Sequence, residues 1–177
     1  MSLPKVQRSV ARRVRDSLPP VETAASARQT YGAMMEHQVA PTLREWGLEG
    51  GDGRFDYPSR VWHLRLAFVP AAWNTVGRYQ FDVNVVAVSR VQWEQWRASE
   101  PALPDQPDAG MYYAHDFVHG GGLMARLGEL QRDGLDRRWT VRAAVDPTPV
   151  AAELLASMKR HVLPQFAGRA EARPLTA

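Results

Sequence analysis

The hydrophobic and polar positions of residues 78–89 alternate with a period of two. One side of this segment carries Phe81, Val83, Val85 and Ala87, and the other side carries Asp82, Asn84, Val86 and Val88. A period of two is typical of a β-strand and does not fit a helix. Residues 61–69 alternate in the same way, and residues 70–77 form a connection short enough for an antiparallel hairpin. The middle of the chain is therefore predicted to contain two long paired strands.

Shorter strands and turns are predicted around this hairpin. The further strands are expected at residues 54–57, 111–119, 123–130 and 137–143. Turns and loops are expected at residues 50–53, 100–110 and 132–136, where Gly, Pro and Asp are frequent. Aromatic residues alternate within 111–119, which is typical of a strand, and the three glycines at 120–122 are expected to end it.

Apolar residues three and four positions apart predict a long helix over residues 23–46. Thr23 or Ser26 is expected to cap its N-terminus, and Gly47 is expected to end it in a left-handed conformation. Pro41 lies inside the pattern, so it is expected either to kink the helix or to begin its last segment.

A second long helix is expected to begin near Thr148-Pro149, a capping residue followed by a favourable first helical residue, and to reach residue 166. A helical turn is expected at residues 91–97.

Together the elements predict one α+β domain over residues 21–167. An antiparallel sheet of about five or six strands is expected to pack one face on two long helices, residues 26–46 and 149–166. The predicted core consists of apolar residues on these elements: Tyr31, Met35, Leu43, Trp62, Leu64, Leu66, Phe68, Phe81, Val83, Val85, Leu127, Val141, Leu154, Met158 and Val162. A shift of one residue exchanges the two faces of a strand, so the pattern leaves open which face is inner.

The composition narrows the class of protein. The chain has 177 residues and no Cys, which excludes disulfides and thiolate sites and favours a cytoplasmic location. No run of eighteen apolar residues is present, so no membrane span is expected. No cofactor is expected either.

The net charge of +3 is concentrated at the N-terminus. Residues 1–20 carry five basic residues and one acidic residue, a net charge of +4, so the remaining 157 residues sum to −1. This segment is predicted to be a basic helix or arm, and residues 168–177 are predicted to be a C-terminal tail. A docked helix with a solvated basic face is the favoured interpretation, and a basic arm that binds nucleic acid weakly is the alternative.

Four residues are weak candidates for a catalytic site: His115, Asp116, His119 and Arg126. Two histidines at i and i+4 lie on one face only if their segment is helical. In the predicted strand, His115 and His119 would lie about 13 Å apart, too far to share a zinc ion bound at about 2 Å. A metal site is therefore not predicted.

Five residues are candidates for a binding surface: Trp93, Trp96, Arg126, Arg138 and Trp139. Tryptophans near the ends of elements either fill the margin of a core or anchor a partner protein. Three arginines near Trp139 can bracket an anionic or planar ligand, or they can form a solvated strand face: Arg126, Arg137 and Arg138. The sequence leaves both alternatives open.

Several short motifs follow one another along residues 30–167. They are Ala40-Pro41-Thr42-Leu43 and Trp46-Gly47-Leu48, then Phe81 with Asn84, then Arg126-Leu127-Gly128-Glu129-Leu130, then Asp136 with Trp139, and finally Leu163-Pro164-Gln165-Phe166. In this order and spacing they resemble the bacterial DUF4304 family. The resemblance implies a single small α+β domain of unknown activity. The chain has Val69-Pro70-Ala71 where that family tends to have Gln-Lys-Ser, which implies that a polar site shared by the family is partly lost here.

The leading functional expectation is non-catalytic binding of a protein or peptide partner, in the manner of an accessory or immunity-type protein. It follows from aromatic and arginine residues that lack a convergent acid–base set. The alternative is a small-molecule or phosphoester enzyme that uses the His, Asp and Arg candidates. The second alternative is weak nucleic-acid binding through the basic arm. The sequence does not indicate an oligomeric state.

Overall fold

The computed structural model describes residues 25–131 and 137–171. The strands are β1 (Glu49–Gly51), β2 (Arg54–Asp56), β3 (Trp62–Pro70), β4 (Arg78–Ser89), β5 (Leu123–Arg126) and β6 (Trp139–Arg142). The α-helices are α1 (Ala27–Met34), α2 (Ala40–Glu45), α3 (Arg90–Ser99), α4 (Thr148–His161) and α5 (Leu163–Glu171). The predicted α+β class is confirmed, with the strands forming one antiparallel sheet. None of the described helices is long and apolar enough to cross a membrane.

The central hairpin of the sheet is the one that the alternating pattern predicts. β4 has the predicted bounds and pairs with β3 from Trp62–Ser89 at one end to Pro70–Phe81 at the other. β2 and β1 extend the sheet beyond β3, while β5 and β6 both pair with β4. The long β4 strand therefore pairs with three other strands, β3, β5 and β6.

The first face of the sheet holds the main core. In register, Leu64, Leu66 and Phe68 of β3 lie beside Ala87, Val85 and Val83 of β4. This face packs against the helical segment from α1 to α2 and against α4 and α5. All fifteen predicted core residues lie in this cluster or pack against it. Burial of apolar surface at roughly 25 cal/mol per Å² makes this the principal stabilising contact of the fold.

The first helical segment shows how its sequence sets its shape. Ser26 forms the N-cap, and Gln29 completes a capping box with it. A π-helical turn, Met35–Val39, separates α1 from α2 and places Pro41 in the first turn of α2. A proline there removes no hydrogen bond that α2 needs, so Pro41 begins the last helical segment, which is one of its two predicted roles.

The end of α2 also follows the predicted chemistry. Gly47 adopts a φ of 87° and its N–H donates to the carbonyl oxygen of Arg44, while the N–H of Leu48 donates to that of Leu43. This pair of hydrogen bonds is a Schellman motif, in which glycine avoids the strain of a left-handed conformation.

The second face of the sheet is also covered, a feature that the sequence analysis did not anticipate. Helix α3 and residues 100–122 lie over it, and we call residues 100–122 the covering loop. The buried residues of this second core are Ala67, Val86, Val88, Trp93, Leu103, Ala109, Tyr113 and Phe117. The valines at 86 and 88 thus face an apolar layer rather than solvent.

Several predicted elements need correction. Residues 111–119 form no strand, because their aromatic side chains anchor a loop by packing instead of pairing in a ladder. The predicted strand 123–130 ends at Arg126, and residues 127–130 turn. Residues 50 and 51 belong to β1, and only Asp52 and Gly53 form the turn to β2, both with positive φ.

The predicted C-terminal tail is shorter in the structure. Helix α5 reaches Glu171, so residues 168–171 are helical rather than part of a tail. The predicted arm at residues 1–20 and the predicted turn at residues 132–136 lie outside the described residues.

Candidate functional site

The covering loop is held to the sheet by buried aromatic residues and by hydrogen bonds. Trp93 of α3 is fully buried, and its indole N–H donates to the carbonyl oxygen of Pro104 at 3.2 Å. The ring of Tyr113 meets Trp93 edge to face, with centroids 5.1 Å apart. Asn84 of β4 donates to the carbonyl oxygen of Ala109 at 2.9 Å. These contacts fix a segment without regular secondary structure onto a rigid support.

The same loop presents apolar side chains to solvent. Met111 is 52% exposed, Tyr112 is 83% exposed and Val118 is 76% exposed. Each exposed residue stands close in sequence to a buried anchor, since Tyr113 follows Tyr112 and Phe117 precedes Val118. The anchors therefore pre-position exposed groups that the core does not use.

The charge of the covering loop is acidic. Residues 100–122 contain four carboxylates, at Glu100, Asp105, Asp108 and Asp116, and neither Lys nor Arg. Asp105 and Asp108 pair with arginines outside the loop, but the Asp105 side chain stays almost fully exposed. The loop therefore offers apolar and anionic groups together.

His115 occupies a structural position in this layer. Its ring lies against Trp96, with centroids 4.6 Å apart, and its Nε2 lies 3.4 Å from a carboxylate oxygen of Glu100. Its Nδ1 is buried without a hydrogen-bond partner among the described residues. The packing against Trp96 therefore explains the position of the His115 ring better than a catalytic role does.

The other catalytic candidates do not join His115 in one site. Asp116 accepts a hydrogen bond from the backbone N–H of His119 at 3.0 Å, which makes it a turn residue, and His119 is exposed. Arg126 donates to the carboxylate of Glu129 at 2.8 Å, and the backbone N–H of Arg126 lowers the pKa of that carboxyl. No cluster of three metal-ligating side chains occurs within residues 25–131 and 137–171.

The predicted binding residues divide into buried and accessible ones. Trp93 and Trp139 are buried in the two cores, so their side chains do not form a binding surface in this conformation. Trp96 is half-buried against His115. Arg138 lies over the ring of Trp73 at 4.8 Å and pairs with Asp82 at 3.3 Å.

A cleft that sequence reasoning missed lies at the edge of the sheet near the start of β3, and its lining comes from both faces. It has a volume of about 780 Å³ and opens where β3 begins and α3 follows β4. Its lining includes Tyr57, Trp62, His63, Arg65 and Arg90. We call this the His63 cleft. Its volume lies within the range of sites for small molecules.

Electrostatics in the His63 cleft favour a neutral imidazole. Burial, together with the positive charges of Arg90 and Arg65, lowers the pKa of His63 to about 4, against an opposing effect of Asp56. Arg65 donates to the two carboxylate oxygens of Asp56 at 2.6 and 2.9 Å. At neutral pH the His63 ring is therefore uncharged, and the cations that act on it are Arg90 and Arg65.

The sequence contained a signal for this cleft. Val86 and Val88 are apolar on the side of β4 opposite the main core, which indicates that a second layer covers that side. His63 and Arg65 lie on the same side of β3, beside these two valines. A polar pair at the margin of a covered face is where a cleft is expected.

Comparisons of the chain with protein-family models, with curated proteins and with solved structures found no match. The resemblance to the DUF4304 family stays a prediction from the motifs.

Proposed function

We propose that the protein is a non-catalytic binding module for a protein partner, in the manner of an accessory or immunity-type protein, and that it works in the cytoplasm. The observation that carries this proposal is the covering loop, which holds Met111, Tyr112 and Val118 exposed on a scaffold of buried aromatic residues. Pre-positioned loops on rigid supports are common recognition elements, because little conformational entropy is lost when they bind.

The chemistry of the loop defines the partner. Tyr and Met are enriched at protein interfaces, where a large exposed ring can enter a pocket of the partner. The four carboxylates of the loop favour a partner surface that carries Lys and Arg around an apolar centre. We therefore expect binding to a cationic protein, with an association rate that falls as the salt concentration rises.

The enzyme alternative has less support. His115 is packed against Trp96, and Arg126 is paired with Glu129. The clefts found around the described residues have other linings, so they do not bring His115 and Arg126 together. Binding through the N-terminal arm concerns residues 1–20, which lie outside the described part of the chain.

A capture experiment with two surface variants tests the proposal. The full chain is immobilised, and proteins retained from a lysate of the native host are identified by mass spectrometry at two salt concentrations. The test variant carries Tyr112→Ser and Val118→Ser in the covering loop. The control is Val91→Ser, because Val91 is also exposed and apolar but lies on α3 outside the loop.

The expected result is a basic protein retained by the wild type and by Val91→Ser, with binding at least about tenfold weaker to the double variant. Backbone hydrogen exchange within residues 100–122 should also slow in the complex. A partner that binds the loop variant as tightly as the wild type would overturn the proposal. So would a partner whose protection from exchange falls elsewhere in the chain.

A further inference from the structure

The His63 cleft contains a buried polar side chain without a partner. His63 is 5% exposed, and its ring makes no hydrogen bond with any residue within 25–131 or 137–171. Neither ring nitrogen is fully enclosed by the described residues, so the nitrogens face the open space of the cleft and are available to a ligand. A neutral imidazole offers one N–H donor and one nitrogen acceptor.

The charges around the cleft indicate that the ligand carries a negative charge. Arg65 is neutralised by Asp56 through two hydrogen bonds. Arg90 donates to the backbone carbonyl of Ser59 at 3.1 Å and has no carboxylate partner among the described residues. It is also the first residue of the ten-residue helix α3, where the positive end of the helix dipole adds to its charge. An anion that enters beside His63 therefore meets an unneutralised guanidinium.

The acidic residues of the lining weaken the positive potential of the cleft but do not cancel it. Glu49 and Glu171 also line the cleft, and both are exposed residues at its margin, as is Arg60. None of these three rim residues is among the charges that shift the pKa of His63, whereas Arg90 is the first of them, so the rim residues act weakly on a group bound beside the ring. The local balance at His63 is positive, since both Arg90 and Arg65 act on it against Asp56 alone.

Aromatic residues supply the remaining part of the site. Tyr57 and Trp62 line the cleft, and both are partly buried against the main core. The guanidinium of Arg169 lies 5.7 Å from the centre of the Trp62 ring and donates to the backbone oxygen of Gly121, which holds this wall in place. Rings that are fixed in this way offer apolar area to the body of a small organic molecule.

We propose that the His63 cleft binds a small organic anion in which a carboxylate or phosphate group is attached to an aromatic or aliphatic body. Arg90 binds the charged group, the N–H of His63 donates a hydrogen bond to it, and Tyr57 and Trp62 contact the apolar body. The lining of this site does not include Met111, Tyr112 or Val118, the exposed residues that the protein partner is proposed to contact.

A titration followed by NMR tests this site directly. The imidazole resonances of His63 in the full-length protein are assigned by their loss in His63→Gln. Benzoate and phenyl phosphate are then added separately, and benzyl alcohol serves as the uncharged probe. Arg90→Gln is the test variant, because Arg90 is exposed and its replacement should leave the fold intact. Arg142→Gln is the control, since Arg142 is an exposed arginine outside the cleft.

We expect one of the two anions to shift the His63 resonances saturably, with a dissociation constant of about 0.1–1 mM at physiological salt. Arg90→Gln should weaken this binding about tenfold, and Arg142→Gln should leave it unchanged. The preferred anion distinguishes a carboxylate ligand from a phosphate ligand. The proposal is overturned if neither anion shifts His63, if benzyl alcohol binds equally well, or if Arg142→Gln weakens binding as much as Arg90→Gln.

Discussion

The second core predicts a large loss of stability when Trp93 is truncated. The side chain is fully buried between the sheet and the covering loop, and it contacts the rings of Trp96 and Tyr113. Replacement of a buried Trp by Ala removes its apolar contacts and leaves a cavity, which costs about 3–5 kcal/mol. Trp93→Ala also leaves the carbonyl oxygen of Pro104 without its donor. We therefore expect a loss of about 4 kcal/mol in the free energy of unfolding.

A smaller replacement separates the two contributions. Trp93→Phe keeps most of the ring packing and removes the indole N–H, so its expected cost is about 1–2 kcal/mol. Trp73→Ala serves as the control, because Trp73 is 55% exposed and should cost less than about 1 kcal/mol. Urea denaturation followed by circular dichroism at the helix band measures all three variants without depending on tryptophan fluorescence.

The result that refutes this reasoning is a cost below about 1.5 kcal/mol for Trp93→Ala with an unchanged denaturant slope. It would mean that α3 and the covering loop contribute little to global stability. A reduced slope has a different meaning, since it would show that the second layer detaches before the sheet unfolds.

Two further changes test other parts of the structure. Gly122→Ala should destabilise the fold by about 2 kcal/mol or more in thermal unfolding, because its Cβ would lie 2.5 Å from the backbone oxygen of Ala87. Gly77→Ala is its control, since nothing lies within 4 Å there and no effect beyond about 1 kcal/mol is expected. Burial and the charge of Arg90 lower the pKa of His63 to about 4, so NMR titration should find a neutral ring at pH 5. In the unfolded chain the same side chain is protonated near pH 6.5, so the free energy of unfolding is highest above that pH and falls as the pH decreases towards 4. If His63→Gln shows the same pH dependence of the free energy of unfolding in this window, the lowered pKa of His63 is contradicted.

The sequence predicted the parts of the fold in which local pattern and tertiary contact agree. β4 begins and ends where its alternation does, and Gly47 ends α2 as its position required. In both places the local preference of the sequence and the tertiary contacts favour the same conformation. The same agreement explains why all of the predicted residues of the main core lie in it or against it.

The sequence did not predict the part of the fold in which buried side chains hold a backbone segment that forms no β-ladder. Tyr113 and Phe117 are buried in a loop, and their spacing within an aromatic run is indistinguishable from the pattern of a strand. Trp93 could not be assigned to a surface or a core, because that choice depends on whether a second layer exists. The cleft was missed for the same reason, since it lies at the edge of that layer.

Arg65 connects the cleft with the covering loop. Its guanidinium pairs with Asp56 inside the cleft, and its Nη1 donates to the carbonyl oxygen of Pro107 in the loop at 2.6 Å. A cation on the polar side of β3 needs acceptors once a layer covers that side, and one carboxylate and one backbone carbonyl supply them. The apolar residues beside it, Ala67 and Val86, can then be buried while His63 remains at the open end. The polar residues of β3 thus set where the second layer stops, and the cleft begins at that boundary.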